Sequence, residues 1–267
     1  MREYLPIGVF DSGIGGLSVV KYIINNLPNE NLIYFGDIAR IPYGTKSIDT
    51  IQKFARQTVK FLIKQDIKAI VIACNTISAV ALDAVKQLAG NIPVIDVISA
   101  GAKASSVGYK KVGVIGTNAT INSHAYPNSI HKLNPEVEVI SQACPLIVPL
   151  IEEGLIKHRA LELICKDYLK ALLDKNIEAL VLGCTHYPLI SDIIQSIIGN
   201  SIDIIDPAID TCNNLQQILI KNKILNSSNQ MISHKFFVTD MPQKFQKIGE
   251  MFLHTPMQHI ELVTFEH

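Results

Sequence analysis

The sequence predicts an α/β protein built as two similar lobes, each with a mostly parallel sheet flanked by helices, related by a pseudo-twofold axis with a crevice between them. Three observations predict it. Residues 67–76 read IKAIVIACNT and residues 177–186 read IEALVLGCTH, so an ungapped offset of 110 residues, from 67 to 177, lays Cys74 on Cys184 and Thr76 on His186. A second pair, IGVFDSG at 7–13 and VGVIGTN at 112–118, repeats in the same order. Both Cys segments are short apolar runs bounded by polar and small residues, the pattern of strands covered on both faces in a parallel sheet. The boundaries that follow are 1–97 plus 208–267 for the first lobe and 98–207 for the second.

Taken in order, residues 7–10 form the first strand. They lead through Asp11-Ser12-Gly13-Ile14-Gly15-Gly16 into a helix over 17–27. Such a turn lets the backbone approach a ligand closely and presents the free N–H groups of a helix start. Gly13-x-Gly15-x-x-Ser18, followed by Asp37 at the end of the strand NLIYFGD, is a near match to a dinucleotide fingerprint. Against that reading, Ser18 replaces the third glycine and Asp11 would repel a pyrophosphate. Residues 38–47, IARIPYGTKS, read as a loop in which Arg40 and Tyr43 face either solvent or a ligand. Ser47 caps a helix carrying Ile51, Phe54, Ala55, Val59 and Leu62 at helical spacing.

After the first Cys strand, the sequence predicts a helix over 77–88, a strand over 92–97 and a crossover helix around 98–106. The second lobe opens with a strand over 111–115. Gly116-Thr117-Asn118-Ala119-Thr120 then stands where the first lobe has its Gly-rich turn, and its hydroxyls either bind a carboxylate or cap the next helix. A strand over 137–143 precedes the apolar stretch CPLIVPLIEEG from Cys144. Sequence alone favours a solvent-facing helix start for Glu152. The helix at 158–173 carries Cys165 on its apolar stripe. A strand over 202–205, a helix over 208–222 with Cys212 packed, a surface loop over 223–234, a strand over 235–238, a helix over 242–253 and a strand over 260–263 close the chain. The tail is too short to found a domain and is returned to the first lobe.

Lysine plus arginine and aspartate plus glutamate number 24 each, so no electrostatic footprint for nucleic acid or an anionic membrane is written into the chain. The start, MREYLPIGVFDSG, lacks a signal-peptide core, and no apolar run has the roughly 18 residues of a membrane span, so the expected location is cytoplasmic. Five cysteines without a C-x-x-C pair read as free thiols in a reducing compartment.

A cysteine at a strand tip before a helix is expected to have a lowered pKa, because the N–H groups and helix dipole favour thiolate. One such cysteine alone is more often an inert core residue, but two at matched places in a repeat point to function. Opposed thiols can take a proton from one face of a carbon and return one to the other, which inverts its configuration. That chemistry asks for no metal and no cofactor if N–H groups and polar side chains hold the carbanion's charge, and Asn75-Thr76 and Thr185-His186 follow the thiols. Cys184-x-His186 also admits a base-nucleophile pair, and lacks the grouping of a zinc site.

The motifs DSGIGG from Asp11, DIARIPYG from Asp37, ACNT from Ala73, GTNAT from Gly116, CPLIVPLIEEG from Cys144 and GCTHYP from Gly183 together resemble the glutamate racemases of the aspartate/glutamate racemase superfamily over almost the whole chain. The resemblance implies Cys74 and Cys184 as the two acid/bases, Asp11 as the partner of Cys74, and Glu152 and His186 as partners of Cys184. It implies that Asp11, Ser12, Tyr43, Gly44, Asn75, Thr76, Thr117, Thr120, Thr185 and His186 hold the substrate, glutamate. It further implies two lobes around one site, a homodimer, and D-glutamate supplied to peptidoglycan synthesis. VTDMP from Val238 departs from the Ser-Gly common in relatives. Alternatives are an aspartate racemase, a dinucleotide-dependent oxidoreductase, and a non-catalytic protein that closes on an acidic amino acid.

Overall fold

The computed structural model describes residues 2–228 and 231–265. The strands are β1 (Ile7–Asp11), β2 (Leu32–Gly36), β3 (Ala69–Ile72), β4 (Val94–Asp96), β5 (Lys111–Gly116), β6 (Glu138–Ala143), β7 (Ala179–Gly183), β8 (Asp203–Ile205), β9 (His234–Val238) and β10 (Ile260–Leu262). They form two sheets, β10-β9-β2-β1-β3-β4 and β6-β5-β7-β8, in which every neighbouring pair runs parallel. The order β6-β5-β7-β8 repeats β2-β1-β3-β4, which is the structural form of the sequence repeat. The first sheet differs by gaining β9 and β10 outside β2.

The helices are α1 (Leu17–Asn26), α2 (Ile48–Ile63), α3 (Asn75–Ala89), α4 (Val97–Ser105), α5 (Asn118–Asn122), α6 (Ala125–Leu133), α7 (Ile147–Glu152), α8 (Arg159–Leu173), α9 (Ser191–Ile198), α10 (Pro207–Lys221) and α11 (Pro242–Leu253). Their starts are written locally. Ser47, Asp96, Thr117, His158 and Asp206 each accept a backbone N–H of the first turn, and Pro207 occupies a position where its missing N–H costs nothing. The period of 3.6 then selects the buried faces: Ile51, Ala55, Val59 and Leu62 in α2, and Leu161, Cys165, Leu169 and Leu172 in α8.

Each sheet is covered on both faces. In β1, Ile7 and Val9 pack toward α1, α10 and α11, while Phe10 packs toward α2 and α3. The second sheet is covered by α7, α8 and α9 on one face and by α4 and α6 on the other. Every residue of β1, β2, β3 and β7 is buried, which accounts for their unbroken apolar runs. Among the described residues no helix is long and apolar enough to cross a membrane.

The structure departs from the sequence reading at several places. The loop at 38–47 contains two 3-10 turns, Ile38–Arg40 and Tyr43–Thr45. Residues 187–198, where no helix was expected, form a 3-10 turn and α9, whose Ile194 and Ile198 face the core. The expected surface loop at 223–234 is pinned by buried Ile224 and Asn226, the latter donating its N–H to Glu30; Asn229 and Gln230 of that loop lie outside the described residues.

Candidate active site

The carboxyl ends of β1, β3, β5 and β7 converge on one cavity of about 310 Å³ between the two sheets, the place where open parallel sheets bind ligands. Ser12, Tyr43, Gly44, Cys74, Asn75, Thr76, Thr117, Glu152, Cys184, Thr185 and His186 line it. The two thiols therefore share a single chamber. Asp11 and Thr120, also expected at the site, are set back behind this lining and reach it through their neighbours.

Cys74 follows β3 and is the N-cap of α3. Its thiol donates to Ser12 Oγ at 3.4 Å, and the N–H groups of Ser12 and Ile77 point at the sulfur. The expected lowering of its pKa is nonetheless overturned. Burial pushes the Cys74 thiol well above its ordinary value, the Asp11 charge pushes it further, and the hydrogen bonds only partly offset them. Asp11 ends β1 with its Oδ2 accepting the Gly13 N–H at 3.0 Å, and its own pKa is raised by burial against the opposing pull of His186 and of the Gly13 and Gly16 N–H groups. The pair is a proton-holding thiol beside a carboxylate that has become a better proton acceptor.

Cys184 follows β7, but the chain then makes a four-residue 3-10 turn before α9, so no α-helix N-terminus sits at this sulfur as α3 sits at Cys74. A buried imidazole stands in its place. His186 Nδ1 lies 3.9 Å from Cys184 Sγ, and Nε2 lies 3.1 Å from Glu152 Oε1. Burial alone would lower the His186 pKa, yet the hydrogen bonds and charges of Cys184 and Glu152 prevail and raise it from 6.5 to about 10. His186 thus carries a proton and a positive charge next to the second sulfur at neutral pH. Glu152, for which sequence favoured a helix start in solvent, instead ends α7 in the cavity wall.

Hydroxyls form the far wall and stitch the lobes together. Thr76 Oγ1 lies 3.0 Å from Thr117 Oγ1 and 3.4 Å from Thr120 Oγ1, and Thr117 and Thr120 are 3.1 Å apart. Of the two readings of Thr117, the structure shows the helix cap of α5, with the residue also lining the cavity. Two glycines permit the close approach. A Cβ on Gly15 would lie 2.6 Å from His186 Nδ1, and one on Gly44 would lie 2.8 Å from Thr117 Cβ. The features that suggested a dinucleotide are thereby consumed: Gly15 abuts a side chain of the other lobe, and Asp37 is buried among protein partners.

Sequence reasoning missed several contributors. Tyr126 donates its hydroxyl to Asn75 Oδ1 at 2.7 Å, which turns the Asn75 amide nitrogen, a donor, away from that bond. Buried Tyr34 donates to Gly13 O at 2.9 Å and fixes the first turn. A third thiol, Cys144, lines the cavity beside Pro145, Val148 and Pro149, and burial raises its pKa. Its place after β6 matches that of Asp37 after β2, a signal the repeat contained. Tyr43 lines the cavity with its hydroxyl already committed to Asp37. Among the described residues no three His, Cys, Asp or Glu side chains converge as a metal site.

The arrangement is two sulfurs on one chamber, one backed by a carboxylate and one by a charged imidazole, with hydroxyl and amide donors between them. Comparison with known proteins places it among relatives. Residues 7–212 match the model of the Asp/Glu/Hydantoin racemase family. A glutamate racemase of Neisseria meningitidis is 51% identical over 261 residues, covering 97% of this chain and 96% of that one. The crystal structure of a glutamate racemase from Francisella tularensis in complex with D-glutamate is similar at 55% identity and TM-score 0.94, over 98% of each chain. A glutamate racemase from Bacillus anthracis is 38% identical with a TM-score of 0.94, again over 98% of each chain.

Proposed function

This chain belongs to the Asp/Glu/hydantoin racemase family, and from that premise we propose that it interconverts L- and D-glutamate by passing the Cα proton between Cys74 and Cys184. The observation that carries the reading is the shared cavity of the two thiols, each with its own titratable partner. One sulfur, as thiolate, removes the Cα proton and becomes a thiol. The opposite thiol gives its proton to the other face of the carbanion and becomes the thiolate. Atoms and charge balance within the site, and the reverse reaction runs through the same states with the roles exchanged.

The surroundings set the starting state. Cys74 holds its proton and is the ready acid; His186, protonated beside Cys184, offsets negative charge on that sulfur. For the opposite direction Cys74 must first lose its proton, and Asp11, with its raised pKa, is the adjacent acceptor. Ser12, Asn75, Thr76, Thr117 and Thr185, with the main chain of Tyr43 and Gly44, hold the carboxylates and ammonium and steady the charge that develops at Cα, while Thr120 braces Thr76 and Thr117 from behind. Nothing in this scheme calls for a cofactor. The lobes as read, 1–97 with 208–267 and 98–207, each supply one thiol, which the separate sheets support.

Family membership further supports a homodimer acting in the cytoplasm and feeding D-glutamate to peptidoglycan synthesis. The test is incubation of L-glutamate in D2O without added cofactor, with D-glutamate deuterated at Cα as the expected product. Absence of both inversion and exchange would overturn the reading. Each single Cys→Ser variant is expected to lose ~10²–10⁴ of the racemisation rate, the scale of a positioned acid or base, unequally in the two directions. An aspartate racemase would instead turn over aspartate faster than glutamate.

A further inference from the structure

We propose that Asp37, outside the cavity, is a positioning residue for substrate: its buried carboxylate holds the Tyr43–Thr45 turn in place as a wall of the glutamate site. The inference rests on the glutamate reading above. Asp37 is 1% exposed and follows β2, and it does not line the cavity. Arg40 Nε donates to its Oδ1 at 2.9 Å and its Oδ2 at 2.6 Å. Thr239 Oγ1, just past β9, donates to Oδ1 at 3.0 Å and itself accepts the Ala39 N–H at 2.9 Å. The remaining donor is the hydroxyl of Tyr43, which bonds Oδ2.

Of these side-chain partners only Tyr43 lines the cavity. Arg40 continues outward to Gln57 Oε1 at 2.5 Å and lies over the rings of Phe54 at 4.0 Å and Phe265 at 4.9 Å. Tyr43 carries the position of Asp37 to the cavity wall directly. The turn it begins carries Gly44 against Thr117 of the other lobe. Gly44, Thr45 and Asn118 also line an adjoining outer groove, so the turn is a thin partition between the cavity and that groove. A partition of this kind needs an anchor, and charge-assisted hydrogen bonds to a buried carboxylate supply a stiff one. The anchor joins the substrate wall to Thr239 and Phe265, near the end of the chain.

The test is steady-state racemisation in both directions together with thermal melting. Asp37→Asn is expected to raise KM for both enantiomers by ~10-fold while kcat stays within ~3-fold, the pattern of lost ground-state positioning. Tyr43→Phe is expected to raise KM similarly and to add little on top of Asp37→Asn, because both cut one connection. Thr239→Val is expected to raise KM by ~3-fold, the loss of one hydrogen bond of several, and Thr239→Ser to restore it. A melting shift with KM unmoved, or independent Tyr43 and Asp37 effects, would overturn the positioning role and leave a fold staple. If Asp37→Asn does not fold, the Thr239 pair decides: a rise in KM reversed by serine supports the proposal, and an unmoved KM rejects it. An unsubstituted protein without glutamate racemisation would instead remove the underlying function.

Discussion

The two sulfurs sit on one chamber in opposite electrostatic surroundings. Cys74 neighbours a carboxylate, and Cys184 neighbours an imidazole whose pKa is raised from 6.5 to about 10. At Cys74 the favourable field of a helix start meets a larger opposing effect, because desolvation of a thiolate outweighs a few N–H groups. Sequence supplied the helix start but not the depth of burial, so the direction of that shift was illegible. His186 has a consequence for stability. Its folded pKa lies above its ordinary 6.5, so the Cys184–His186–Glu152 contact contributes stability that is fully present below about 6.5 and is lost as pH rises through about 10. Urea unfolding at a series of pH values should show that loss in the parent protein and a flatter profile in His186→Asn. An equal profile in both would mean that the imidazole is not held charged.

Among the elements, β3 shows how a strand can be read correctly and its anchorage missed. Lys68, just before it, reads as an ordinary charged residue at a strand start. It is fully buried, with Nζ 2.5 Å from Glu30 Oε2, 2.5 Å from Glu3 O and 2.9 Å from Ile224 O. These partners come from the N-terminal turn, the connection after α1 and the segment after α10, and separations such as 156 residues leave no local signature. Lys68→Met should therefore cost about 3–5 kcal/mol in urea unfolding, because it strands the buried Glu30 carboxylate. A loss below ~1 kcal/mol, the worth of an exposed pair, would mean that the pair is solvated. Helices behave in the same way. Those with a cap and a clear apolar stripe, such as α2 and α8, were legible from sequence. Short α7 and α9 were not, because six or eight residues carry too few turns to set a period.

For the molecule as a whole, the repeat made both sheets and the two thiols legible, because a matched pair of strand tips fixes where the crevice must lie. It could not reveal where the halves differ. The repeat lays Thr76 over His186, yet one seams the lobes with a hydroxyl and the other carries charge beside a sulfur. A ligand held by both lobes should lock them. D-glutamate at 100 times its Kd should raise the unfolding free energy by ~2.7 kcal/mol, read as a rise in Tm. Thr117→Val, which removes a hydroxyl from the seam, should shrink that rise, and an undiminished rise would put the ligand on one lobe alone.

The first sheet is completed by strands made both before and after the second, which is drawn from the contiguous span between Lys111 and Ile205. During synthesis, β5 to β8 have all their partners while the ribosome is still at work. β2 waits for β9, which follows β8 in the chain. A nascent chain halted before β9 can bury its second core yet leaves open the flank that carries Thr239, so a strand made late governs when one made early settles.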